Sequence, residues 1–290
     1  MKKRWVGLLF LALGYILATL LGIGAYILFD HMGIHYLLNI FLCDVIATIF
    51  IWLLGVIFKT ASFYDPYWSV QTLIIYICLL FNFHNWNLGT ILFMLPLAFY
   101  TFRLTGNFIK GFHSLIYVDW RYKMLQEKSG KLFQFVNLFG ICMMPTCLVY
   151  LASIPMFIYA RSGYFHPLQL IGEVLMFGAV VLEMISDIQM HSFIKNRLSR
   201  EETINVGLWK YSRHPNYLGE ISFWFAIYIT FVVSFYTMWY WGAGAILILL
   251  LFLFISIPME EKHMLQYKPK LADYIKETHS LLLLPKKKKK

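Results

Sequence analysis

Long apolar runs separated by short polar turns set the pattern of the chain. They occupy roughly 5–29, 34–58, 69–84, 88–104, 133–160, 168–190, 221–240 and 243–258. About 20 apolar residues are needed for a helix to cross a bilayer. The pattern therefore predicts an all-α, multi-pass transmembrane helical bundle of about eight spans. Runs 69–84 and 88–104 are short, and only the turn NFHNWN separates them. A re-entrant hairpin for this pair, with six full spans around it, is the competing reading. Between the second and third runs lies KTASFYDPYW, a polar and aromatic turn punctuated by Pro66. The longest polar interval, 105–132, contains VDWRYKMLQEKSGK and predicts an interfacial amphipathic segment. No polar stretch is long enough to bury a soluble core of its own.

Composition sharpens this picture. The chain is 60% hydrophobic and 14% charged, with a mean hydropathy of +0.64, which is too oily for an ordinary soluble domain. Its net charge of +10 matters chiefly through its placement. With eight spans and both termini cytoplasmic, every one of the 25 Lys and Arg residues except Arg161 falls on the cytoplasmic side. Lys2, Lys3 and Arg4 precede a first run too long for a signal-peptide core, so 1–34 is expected to hold a retained first helix. No basic and aromatic surface on a soluble scaffold suggests nucleic acid. Cys43, Cys78, Cys142 and Cys147 lie in or near apolar runs without metal-ligand spacing, and no metal is expected. The lysines of the 286–290 tail can attract anionic lipid at about 1 kcal/mol each. Such a protein contacts membrane lipid and belongs in a bacterial inner membrane or the endoplasmic reticulum, according to its host.

Two polar features interrupt the apolar body. The sixth run carries Glu173, Glu183, Asp187 and His191, spaced so that all four can share one helix stripe. Interhelical packing and a polar pocket for cofactor or substrate are both open for that stripe. Near 207–220 stands GLWKYSRHPNYLGE. Pro215 suits the first turn of a helix, which places Arg213 and His214 just outside a span. Arg213 can clamp a phosphate or carboxylate, His214 can move a proton, and Asn216 can read an amide or a ribose hydroxyl. Glu220 lies one turn beyond Asn216. Ionisable groups beside lipid are costly and mark functional sites by default, with interfacial anchoring the plainer alternative.

That string, together with FYDPYWS at 63–69, VDWRY at 118–122 and IPMEEKHMLQYKPKLADYIKETHSLLLLP at 257–285, resembles the DUF1295 family across 35–285. The family groups with the C-terminal domain of steroid 5-alpha reductases. The resemblance implies a membrane oxidoreductase that uses NADPH to reduce a carbon–carbon double bond conjugated to a ketone, on a hydrophobic small-molecule substrate. It implies a cofactor site at Asn216, Gly219 and Glu220, with Asp187 on the preceding helix and Tyr267 and Tyr274 in a closing tail. In those reductases a glutamate and a tyrosine on earlier helices polarise the ketone. This chain has no glutamate before Glu127, and the nearest substitutes are Asp65, Tyr64, Tyr67 or His84. Tyr64 and Tyr67 are the expected proton donors.

The same string also resembles the RHPxY motif of isoprenylcysteine carboxyl methyltransferases. There the arginine, histidine and tyrosine frame S-adenosylmethionine, and a paired glutamate follows. Arg213, His214, Tyr217, Glu260 and Glu261 match that pattern. It implies methyl transfer to a lipid-borne carboxylate as the alternative to reduction. A non-catalytic membrane protein is the third possibility.

Overall fold

A computed structural model describes residues 2–116 and 119–286, with the side chain of Lys2 undescribed. Tyr117, Val118 of the VDWRY motif and the last four lysines of the tail lie outside the described residues. The chain is an all-α, multi-pass membrane bundle that divides into two compact units, 1–164 and 165–290.

The first unit begins with α1 (Lys2–His31) packed on α2 (Tyr36–Ile57). Gly14 permits the approach, since a Cβ there would lie 2.8 Å from Leu54. Next come α3 (Tyr67–Phe83) and α4 (Leu88–Gly111), two separate helices packed together and joined by a tight turn. Asn87 caps α4 through a reciprocal box with Thr90, satisfying N–H groups that the helix start leaves unpaired. The Asn87 amide also donates to the Gly163 carbonyl at 2.7 Å, which ties this turn to the end of α7. After α5 (Trp120–Ser129) and α6 (Phe133–Val136), a π-helical stretch at Asn137–Met143 leads into α7 (Met144–Ser162). Pro145 explains that widened turn, because its ring would clash with the carbonyl four residues back in a regular α-helix. The polar interval 105–132 is thus partly a continuation of α4 and partly α5, which joins the long helical stretch 120–162.

Polarity in this unit is inverted relative to a soluble protein. Leu9, Leu13, Leu17 and Leu20 of α1 point outward, whereas Asn39, Asp44, Thr48, Gln71, Thr146 and Ser153 are buried. Lipid accepts the first set without cost, and the second can find partners only inside.

The second unit is organised by α8 (Gln169–Asn196) and α9 (Pro215–Val232), an antiparallel pair in close contact. Gly172 sits against Thr230, and Gly219 sits against Ala179 and Glu183, where a Cβ would come within 2.7–2.9 Å. Pro215 occupies the first turn of α9, as its missing N–H favours. A 3₁₀ segment, Tyr236–Gly242, precedes α10 (Ala243–Leu251). A second π-helical stretch, Phe252–Ser256, then precedes Pro258 at the start of α11 (Ile257–Met264). The short α12 (Leu271–Glu277) follows.

Among the described residues, five helical segments are long and apolar enough to cross a membrane: Lys3–His31, Tyr36–Ile57, Leu88–Gly111, Trp120–Ser162 and Tyr236–Met264. The eight-span reading adds to these the shorter apolar helix α3 and the more polar α8 and α9.

Candidate functional site

The second unit holds a polar cavity of about 140 Å³. It is built where the RHPNY string meets the segment after α10. A 3₁₀ turn at Gly207–Lys210 is held down by Trp209, whose indole N–H donates to the Ser186 carbonyl at 3.0 Å. The chain then pairs with the C-terminal segment through a short parallel bridge between Ser212 and His279. The Arg213 N–H donates to His279 O at 2.9 Å, and the Ser212 hydroxyl donates to Leu281 O at 2.7 Å. The hydroxyl of Tyr274 donates to the carbonyls of Trp209 and Ser212. Burial pushes that phenol above its ordinary pKa, so it stays a neutral donor.

Arg213 turns inward. Its Nε and Nη2 donate to the two carboxylate oxygens of Glu261 at 2.7 and 3.4 Å, while Nη1 donates to Ile275 O and Thr278 O at 2.8 and 2.9 Å. His214 Nε2 lies 3.0 Å from the same Glu261 oxygen. Its ring stacks on Tyr217, with centroids 5.2 Å apart and planes 6° from parallel. The Tyr217 hydroxyl donates to Glu260. The RHPNY string and the paired glutamates of α11 therefore form one network that connects the start of α9 to α11.

Asp187, Arg213, His214, Asn216 and Tyr274 border the cavity, as do Glu260 and Lys268. Tyr217 reaches it through Glu260. Gly219 packs against α8, and Glu220 accepts the indole N–H of Trp224 at 2.7 Å, so neither borders the cavity. Tyr267 is exposed and packs on His263. Of the acidic stripe on α8, Glu173 accepts from Gln169 at 2.8 Å and Glu183 lies against Gly219; Asp187 alone of the four stripe residues borders the cavity. Two buried acceptors on the lining, Asn216 Oδ1 and Thr203 Oγ1, have no hydrogen-bond partner within the protein. Orphaned buried polar atoms are rare and call for a ligand or a water.

The first unit holds a second, different cavity. A groove of about 460 Å³, walled by residues such as Ile23, Ile40, Ile75 and Leu79, has Asp44 and Gln71 on its lining. Those two residues and Tyr67 also border an adjoining space of about 10 Å³, large enough for a single water. The Tyr67 hydroxyl and Asp44 Oδ1 are both buried without a well-formed hydrogen bond. Tyr64 is committed elsewhere, its hydroxyl 2.8 Å from Thr146 Oγ1, which in turn lies 3.1 Å from Thr48 Oγ1. Asp65 accepts a hydrogen bond from Tyr122, and burial pushes its carboxyl up to about 6. His84 stands at the far end of α3 as its left-handed C-cap. The sequence reading passed over Asp44, although an acid inside the run IFLCDVIATIF is itself a signal.

These features define a multi-pass α-helical membrane protein with a polar cavity in one unit and an apolar, acid-floored groove in the other. Residues 51–278 match the DUF1295 family, a protein family of unknown function, and the chain belongs to it. No curated protein and no solved structure matches it.

Proposed function

We propose that the protein is an integral-membrane reductase that uses NADPH to saturate a carbon–carbon double bond conjugated to a ketone in a lipid-soluble substrate. The observation that carries this reading is the groove of the first unit, a large apolar space that shares buried Asp44 and Gln71 with the small space bordered by Tyr67, whose hydroxyl makes no well-formed hydrogen bond. An apolar molecule bearing one carbonyl matches that combination. Its hydrocarbon body gains from leaving water, and its oxygen offers the Tyr67 hydroxyl a better acceptor than it finds inside the protein.

Bound NADPH would supply a hydride equivalent. The residues supply the rest. The Tyr67 hydroxyl donates to the ketone oxygen and stabilises the negative charge that builds there as the β-carbon is reduced. Asp44, when protonated, is a second donor at the same end and a source of the proton that the α-carbon takes up after the β-carbon receives the hydride. The apolar walls exclude water and hold the substrate's orientation. In the second unit, Asn216 and Thr203 offer unpartnered oxygens to the hydroxyl or amide donors of a cofactor. The cavity of about 140 Å³ suits one polar portion of a dinucleotide, not the whole.

A second reading has one specific observation in its favour. Arg213, His214 and Tyr217 are bound to Glu261 and Glu260, which joins the two halves of the methyltransferase-like motif. Against it, most of the Arg213 donors are already engaged inside the protein and are not held ready for a cofactor carboxylate. Titration of detergent-purified protein with NADPH and with S-adenosylmethionine decides between them. Binding of NADPH, with its oxidation on addition of a hydrophobic enone, is expected. Binding of the methyl donor alone would transfer the assignment to methyltransferase.

A further inference from the structure

Lys268 is unusual for a lysine beside a membrane. Such side chains normally lay their stems along apolar surface and keep the ammonium in water. Lys268 is only 8% exposed, and it borders the polar cavity. Its Nζ has one hydrogen-bond partner, the sulfur of Met264 at 3.6 Å, and a distant ring, Tyr267, at 5.9 Å. Among the described residues no carboxylate lies within ion-pairing distance of it. Glu260, whose charge acts on Lys268, already accepts from Tyr217, and Asp187 has an interaction of its own. Arg197, just past the end of α8, adds a second positive charge nearby. Burial and that neighbour both push the Lys268 ammonium below its ordinary pKa. The protein by itself thus does not satisfy this cation.

We propose that Lys268, with the charge of Arg197 nearby, forms an anion subsite that receives the phosphate monoester on the ribose 2′-position of the bound nucleotide. This rests on the reading of the cavity as a nucleotide site and adds the part of the nucleotide that it recognises. A phosphate would supply the missing acceptors to Nζ and offset the repulsion between the two cations. Asn216 and Thr203, on the same lining, remain available to the neutral remainder of the ligand.

The test is calorimetric titration of the full chain in detergent with adenosine 2′,5′-bisphosphate and with adenosine 5′-monophosphate. The two ligands differ by one phosphate monoester, and neither carries a nicotinamide. The bisphosphate should bind roughly tenfold more tightly or better. Lys268→Met should abolish the preference while leaving the monophosphate affinity unchanged, and Lys268→Arg should restore most of it. Melting curves on each variant confirm folding. Equal binding of the two nucleotides, a preference that survives Lys268→Met, or binding of neither overturns the proposal. So does occupation of Lys268 by phosphatidate in mixed micelles without any nucleotide preference, which would assign the cation to a lipid headgroup. If the preference is present but NADPH reduces no enone, the subsite stands and the reductase reading fails.

Discussion

Arg213 and Glu261, 48 residues apart, meet through two N–H···O bonds of 2.7 and 3.4 Å, with both side chains largely withdrawn from solvent. One guanidinium thereby fixes the start of α9 to α11, and through Ile275 O and Thr278 O it also fixes the segment that ends α12. A planar fork with this many partners cannot be replaced by an ammonium.

Removing one member of such a pair leaves the other buried and unpaired. Glu261→Ala should destabilise the protein by about 3 kcal/mol. Arg213→Lys should lower the melting temperature by less. A double-mutant cycle with Arg213→Met should show strong coupling, and additive losses would disprove the linkage. The readout is thermal unfolding in detergent.

Asn216 and Glu220, neighbours on one helix face, should behave differently. Asn216→Ala removes an oxygen with no partner in the protein. It should leave melting almost unchanged and weaken nucleotide binding by up to roughly tenfold. Glu220→Gln alters the bond to Trp224 and should shift melting more than binding. Calorimetry and melts on the same preparations separate the two effects.

Tyr64→Phe breaks the contact with Thr146 and should cost about 1 kcal/mol of stability with modest loss of turnover. Tyr67→Phe removes a hydroxyl that makes no good internal bond. It should preserve stability and lower kcat on the preferred enone by about 100-fold or more. The reverse pattern would exchange the roles of the two tyrosines.

Asp65 sets a pH dependence. Its carboxyl lies at about 6 in the folded chain and near 3.8 when unfolded. Between those values the folded state holds the extra proton, so stability rises as pH falls from about 7 towards 4. Melting temperature should increase over that window, and Asp65→Asn should abolish this component. A wild-type slope of opposite sign that Asp65→Asn removes would contradict the assignment.

Gly172→Ala should destabilise the α8–α9 pair, because the added methyl would strike both the side chain and the backbone of Thr230. A loss of about 1–3 kcal/mol is expected for overpacking of this kind. Gly178→Ala, on the same helix with open space around it, is the control and should be neutral or slightly stabilising.

Much of the helical order was legible from apolar periodicity, since α1, α2 and α4 begin within a few residues of the runs at 5, 34 and 88. The polar string at 207–220 was equally legible as a feature. Its internal division was not. Asn216 and Glu220 share a helix face, and only the position of α8 and of the C-terminal segment decides that the first borders the cavity and the second does not. The α8 stripe divides in the same way: helical spacing places four residues on one side, but along a 28-residue helix Asp187 borders the cavity while Glu173 and Glu183 meet other neighbours. Asp44 carried a readable signal, a lone acid in an apolar run, and went unread beside louder motifs. Lys268 carried none, because a lysine in a basic tail looks solvated until its burial is known.

The bridge between Ser212 and His279 has a bearing on biosynthesis. The residues that brace the RHPNY string, 275–281, are translated 62–69 positions after the residues they hold. Until they emerge from the ribosome, Arg213 lacks its carbonyl partners and the start of α9 lacks its brace. Spans can insert in order as the chain grows, but this pocket closes only late in translation. A nonsense mutation or nick near 275 would leave an inserted protein whose cavity is unbraced, which makes the integrity of this short segment a better measure of mature protein than membrane insertion itself.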